Sequence, residues 1–189
     1  KTPRKIKPVK CKRCGLEWER GNLDSTNWHK KEHKKIMSYL EPKPLRAMVK
    51  EMKLQSDFES VTKNSAAWKH HQVFIRARAF NREMNFDRIQ WHYNKNECDE
   101  NVHGFLLTNS SSLIVGACCF RKWPAGLHAY KWVLDWAWVS PNERRRGHLS
   151  ERWSFFRQKF GDFLVTQPVS EEMRAFLKKN NDAHLIEGG

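Results

Sequence analysis

Cys11, Cys14, His29 and His33 have the residue types and the spacing of a zinc site. Two thiolates separated by two residues sit on one tight knuckle, and two imidazoles four positions apart lie one helical turn from each other. The four can therefore converge tetrahedrally on a metal. Gly15 suits the knuckle, and Asp24 or Ser25 can cap the helix that carries both histidines. Leu16, Trp18, Trp28 and Ile36 can form a small core beneath it. The competing reading is a pair of incidental cysteines beside a His-rich helix. The spacing is specific for a metal and silent on what the module binds.

A second stretch points to phosphate chemistry. Residues 130–139 are rich in Trp and Val and read as a strand. Residues 151–160 read as a helix, with Trp153, Phe156 and Phe160 at helical spacing. Between them lie Arg144, Arg145, Arg146, Gly147, His148, Leu149 and Ser150. A strand that feeds a basic, glycine-containing turn and then a helix aims backbone N–H groups and a positive helix end at one point. The bland alternative is a solvated basic turn.

This segment resembles the acetyl-CoA-binding motif of the GNAT acetyltransferases, Gln/Arg-x-x-Gly-x-Gly/Ala, with Leu149 at the last small position. Together with the Cys2His2 module it is similar to the acetyltransferases that establish sister-chromatid cohesion. Trp138-Val139, the three arginines and Ser150 stand in matching register, and Thr166-Gln167-Pro168 stands where that family has Ser-Asp-Pro. The resemblance covers the finger and roughly residues 103–180. It implies acetyl-CoA and Zn2+ as cofactors. Trp138 and Val139 would line the pantetheine arm, and Arg144, Arg145, Arg146, Gly147, His148, Leu149 and Ser150 would hold the pyrophosphate.

Asp135 is a carboxylate inside an apolar strand, costly unless it has a partner or a task. Strict alternation places it on the face of Val133, Ala137 and Val139, opposite Leu134, Trp136 and Trp138. GNAT enzymes often carry a carboxylate four residues before the final Val of this strand. We expect Asp135 to take the amine proton or anchor the cationic amine; a salt bridge with an Arg is the structural alternative. Gln167 cannot act as a base, and residues 170–180 contain no Tyr to protonate a leaving thiolate.

The elements around these residues indicate an α+β fold of GNAT type. It has a mixed, mostly antiparallel central sheet with flanking helices, preceded by a small ββα zinc finger. We place a basic arm and finger at 1–41, a linker and short helix at 42–64, and the acetyltransferase-like domain at 65–189. Helices are expected over 45–54, 65–84 and 170–179. Strands are expected over 104–109, 113–120 and 163–166, with 89–93 either strand or irregular. Residues 123–126 read as a turn, and Ser150 as the cap of the helix that follows. The parallel pair should flank the basic turn, so a ligand should lie where those strands diverge. Five tryptophans, Trp123, Trp132, Trp136, Trp138 and Trp153, fall in the expected core.

The net charge is +14 and is unevenly placed. Residues 1–53 hold 16 Lys and Arg against 6 Asp and Glu, the rest 19 against 15. Such a module attracts phosphate backbones or acidic proteins without selecting a sequence. No run is apolar enough to span a bilayer, and Cys98, Cys118 and Cys119 read as unpaired thiols, so we expect an intracellular protein, cytoplasmic or nucleoid/nuclear. The acceptor expected is an amine, such as a lysine on a protein or other macromolecule. The groove is either open or completed by a second subunit in a homodimer. Two rival functions are a catalytically silent GNAT-like module that binds nucleic acid and a small-molecule (antibiotic) amine acetyltransferase.

Overall fold

The computed structural model describes residues 8–53, 59–92, 99–125 and 129–186. The arm over residues 1–7, Leu54, Tyr93, Cys98, Gly126 and Glu187 lie outside them. The chain divides into two units between Lys43 and Pro44. In the first, β1 (Pro8–Lys10) pairs antiparallel with β2 (Glu17–Glu19) and is followed by α1 (Leu23–Leu40). The helix is capped by Asn22, whose Oδ1 accepts from the Ser25 N–H at 3.2 Å, rather than by Asp24 or Ser25. A cap must sit just outside the first helical residue with extended backbone, and Asn22 holds that place.

The second unit is a five-stranded sheet in the order β3 (Ser60–Val61), β4 (Val102–Thr108), β5 (Ile114–Ala125), β6 (Ala129–Val139) and β7 (Leu164–Val165). The first four strands run antiparallel to their neighbours, and β7 pairs parallel with β6. The segment read as a linker contributes α2 (Arg46–Met52) and β3 to this unit. Helix α3 (Ala67–Met84) packs on one sheet face, where Phe80 meets Trp136 at 5.9 Å. Helices α4 (Ser150–Phe160) and α5 (Glu171–Lys179) pack on the other. There Trp153, Phe156, Phe160 and Leu177 close over Phe105, Leu107, Cys118, Phe120 and Leu134.

One expectation changes at the β5–β6 hairpin, and the choice left open at 89–93 is decided. Residues 123–125 are strand, because the β5–β6 hairpin continues to the Ala125–Ala129 pair. Beyond Arg121, β4 no longer accompanies β5, so Pro124 sits where one strand edge needs no N–H donor. Residues 89–92 are irregular.

The larger change is in β6. The pairing with β5 shifts register between Cys119 and Phe120, where Trp136 and Leu134 are the successive partners, so Asp135 is the extra residue of a β-bulge. A one-residue shift exchanges the faces of everything beyond it. Leu134 therefore shares the α4 face with Ala137 and Val139. Trp136 and Trp138 turn to α3, where Phe80 and Glu83 meet them. Asp135, as the bulged residue, falls out of step with Ala137 and Val139 and pairs instead with Arg121, the cross-strand partner of Val133.

Phe155 and Phe156 are neighbours on α4, the first 46 % exposed and the second fully buried. Phe156→Ala is expected to lower unfolding stability by about 3–5 kcal/mol, against about 1 kcal/mol or less for Phe155→Ala, as read by urea titration.

Candidate active site and metal centre

Within the first unit, one donor atom each from Cys11, Cys14, His29 and His33 lies within 4.8 Å of every other. Cys11 Sγ stands 3.6 Å from His33 Nδ1, and Cys14 Sγ 3.5 Å from His29 Nε2. Ordinary zinc bond lengths at a tetrahedral angle place S and N about 3.6 Å apart, which is the spacing of these two pairs. Backbone N–H groups of Cys14 and Arg13 hold the Cys11 thiol below its usual range, whereas burial pushes Cys14 up. Burial pushes His29 down, toward the neutral form that ligates metal. Trp18 stacks on the His29 ring at 4.9 Å. Ile36 is buried, but Trp28, expected in the small core, is 48 % exposed.

In the second unit, β7 pairs with β6 only at Val133–Leu164 and Leu134–Val165, with one further bond from the Thr166 N–H to the Leu134 carbonyl at 3.1 Å. Beyond it, no strand among the described residues accompanies residues 136–139 on that edge. The basic turn begins a few residues further on. Arg145 has φ 62° and Gly147 φ 89°, which re-aims successive peptide N–H groups. Glycine is required at the second position, since φ near +90° is closed to side chains, and the space a Cβ would enter holds only Glu151 Oε1 at 3.7 Å. Among the described residues, none of the backbone N–H groups of residues 145–149 has an acceptor. Ser150 does not cap α4. The N-cap is Leu149, whose helical backbone brings no side-chain acceptor to the first turn. The positive end of α4 is thus left with free donors.

The arginines of the turn are exposed, and Arg144 is drawn away from it. Its Nη2 donates to Glu83 Oε2 at 2.6 Å and its Nε to the Val139 carbonyl at 3.0 Å. Trp138 is buried and donates Nε1 to the same Glu83 oxygen at 3.0 Å. Burial alone would raise Glu83, but the bonds from Arg144 and Trp138 hold it below the usual carboxylate range. His148 is buried and bonds Glu143 Oε2 at 2.9 Å, so its ring braces the turn from within. Leu149 packs against the α4 core, so its bulk leaves the turn open. Sequence reading missed Glu83 and also Arg152, which donates to the His148 carbonyl at 2.9 Å, to the Thr108 carbonyl at 3.1 Å and to both oxygens of Glu59. Glu59 and Arg152 are 93 residues apart, and no local pattern joins them.

Asp135 accepts from Arg121 Nε at 3.1 Å. Its side chain is almost wholly buried, and burial raises its pKa more than the Arg121 guanidinium lowers it.

No family model matches the chain, and no curated protein matches it. Among solved structures, the xEco2 acetyltransferase domain bound to a K105-CoA conjugate aligns at 14 % identity with a TM-score of 0.48, over 67 % of this chain and 85 % of that one. The ribosomal-protein-alanine N-acetyltransferase of Brucella melitensis biovar Abortus 2308 aligns at 14 % identity with a TM-score of 0.42, over 64 % and 88 %. An aminoglycoside acetyltransferase from an uncultured soil metagenomic sample aligns at 14 % identity with a TM-score of 0.44, over 66 % and 84 %. No helix among the described residues is long and apolar enough to cross a membrane.

Zinc chelation at neutral pH is expected to remove the helical circular dichroism of α1 while the second unit still unfolds cooperatively at the same denaturant midpoint. Cys14→Ala should give the same result without chelator, since a structural zinc supplies folding energy on the order of 10 kcal/mol.

Proposed function

We propose that the chain is an acetyl-CoA-dependent N-acetyltransferase of GNAT type that carries a zinc-binding module at its N-terminal end. The observation that carries this reading is the row of backbone N–H groups at residues 145–149, without acceptors, at the start of α4. It stands beside the stretch of β6 that β7 does not accompany. A diphosphate suits these donors, because it offers several anionic oxygens to closely spaced N–H groups and a helix N-terminus. Arg145 and Arg146 add charge from solvent, and Arg144 can exchange Glu83 for a phosphate oxygen. That exchange would also release the Val139 carbonyl to pair with the pantetheine arm.

Acetyl transfer from a thioester to an amine asks for alignment, removal of one proton and a donor for the developing oxyanion. A bound acetyl-CoA supplies the activated acyl group. The backbone of Trp138 and Val139 aligns it and offers an amide to the carbonyl oxygen. Asp135 accepts the proton that the amine loses, directly or through water. Its raised pKa brings it nearer to neutrality than an ordinary carboxylate, which favours a general base. The basic charge of residues 1–53 suits a macromolecular acceptor and repels polycationic antibiotics. A catalytically silent binding module is the second reading, favoured by the Arg121–Asp135 ion pair.

Calorimetry is expected to give micromolar or tighter acetyl-CoA binding that weakens more than about 100-fold in Gly147→Trp, because several charge-assisted N–H bonds are lost together. Absence of binding to the wild-type chain would remove the proposal. Asp135→Asn is expected to lower turnover about 10²- to 10⁴-fold with an unchanged acetyl-CoA Kd. As a base, Asp135 is active when ionised, so kcat/KM should climb as pH rises through its elevated pKa. That limb should vanish in the variant; a wild-type profile in Asp135→Asn would exclude Asp135 as the base.

A further inference from the structure

The helix of the zinc module is equipped for a polyanion but not for reading base pairs. In fingers that enter the major groove, the residue before the helix and the third and sixth within it meet successive bases. With α1 starting at Leu23, those positions are Asn22, Ser25 and Trp28. Asn22 is occupied at both ends of its amide. Its Oδ1 caps α1 through the Ser25 N–H, and its Nδ2 donates to Glu19 Oε2 at 2.8 Å. Ser25 Oγ accepts from the Glu19 N–H at 2.9 Å. Trp28 has one N–H donor and no bidentate edge for a base pair. The module's own hydrogen bonds therefore consume the groups that three-base readout would need.

What remains at the surface is different chemistry. Trp28 leaves the small core and is 48 % exposed. Lys31 and Lys35 follow it at i+3 and i+7 on the same stripe of α1, with Lys30 and Lys34 exposed alongside. The acidic side chains of α1 are Asp24 and Glu32, and Glu32 is engaged by Lys35 at 2.6 Å. In sequence, the residues before β1 include Lys1, Arg4, Lys5 and Lys7. An accessible indole beside a row of ammonium groups suits an unpaired base, whose face stacks on the ring while neighbouring phosphates meet the lysines. A duplex keeps its base faces stacked and offers only phosphates to the same surface.

We propose that the zinc module binds single-stranded nucleic acid, stacking a base on Trp28 and holding the adjacent phosphates with Lys30, Lys31 and Lys34, without sequence selection. This gives a mode and a strand preference to the basic module and is independent of the chemistry at Asp135.

The test uses the zinc-loaded full chain and fluorescence anisotropy with end-labelled oligo(U) and oligo(dT) of roughly 12 nucleotides, a site-sized length. A duplex of equal length and polyglutamate serve as competitors. Both single strands should bind, and both competitors should displace them weakly. Trp28→Ala should weaken binding roughly 5- to 150-fold with the salt dependence kept, whereas Trp28→Phe retains most of the affinity. Lys31→Gln with Lys34→Gln should flatten the slope of log K against log salt by about 1.4, at about 0.7 per phosphate contact. Equal affinity for the duplex, effective displacement by polyglutamate, unchanged binding in Trp28→Ala or no binding at low salt would each overturn the proposal. Zinc stoichiometry and helical circular dichroism of the variants report their folding. Acetyl-CoA titration of the same proteins reports separately on the acetyltransferase reading.

Discussion

The second unit turns on a short partnership: β7 runs beside β6 for two residue pairs and then leaves it. A parallel neighbour that continued would fill the β6 edge and bring chain over the turn that follows. Because it departs at Thr166, residues 136–139 keep β5 on one side, and on the other no strand among the described residues accompanies them, while Arg144 holds the Val139 carbonyl. Unpaired strand edges and uncapped helix starts are normally costly or promiscuous. Here the two occur within ten residues, and the structure holds them in place rather than covering them. Arg152 ties the His148 carbonyl to Glu59 and Thr108 behind the turn, and His148 and Glu143 brace it from inside. The donors are thereby fixed before any ligand arrives, which is what preorganised recognition of an anion needs.

The bulge at Asp135 is the second organising device. It changes the phase of the alternation along β6, so that Leu134 joins Ala137 and Val139 toward α4 while Trp136 and Trp138 lie against α3. It also leaves a carboxylate within the sheet on a strand whose neighbours are apolar. Arg121 makes that burial tolerable without fully offsetting it, and the carboxyl stays easier to protonate than one in water. An ion pair of this kind can serve structure alone. Burial with incomplete compensation holds this carboxyl above the usual carboxylate range.

What lies within one stretch of chain was legible in the sequence: the clustering of Cys11, Cys14, His29 and His33 is set by a knuckle and one helical turn, and the basic turn by its position between a strand and a helix. The mixed sheet could be read because strand and helix periodicities alternate cleanly from β4 onward. The face of Asp135 was misjudged because alternation carries no mark of a bulge; only the register of β5 against β6 reveals it. The cap of α4 was misjudged because Ser150 is a good capping residue by type, while Leu149 takes the cap position with helical backbone. Glu83 and Glu59 were invisible, since each meets its arginine through the tertiary fold across dozens of residues.

The most direct test of the account is amide mapping by NMR during titration with CoA. The account predicts the largest shifts at the backbone N–H groups of residues 145–149 and at Val139, with the Arg144 side chain moving off Glu83. Shifts confined to another surface, such as the cavity of about 550 Å³ lined by Glu51, Ser60, Trp68 and Lys69, or no shifts at all, would contradict it.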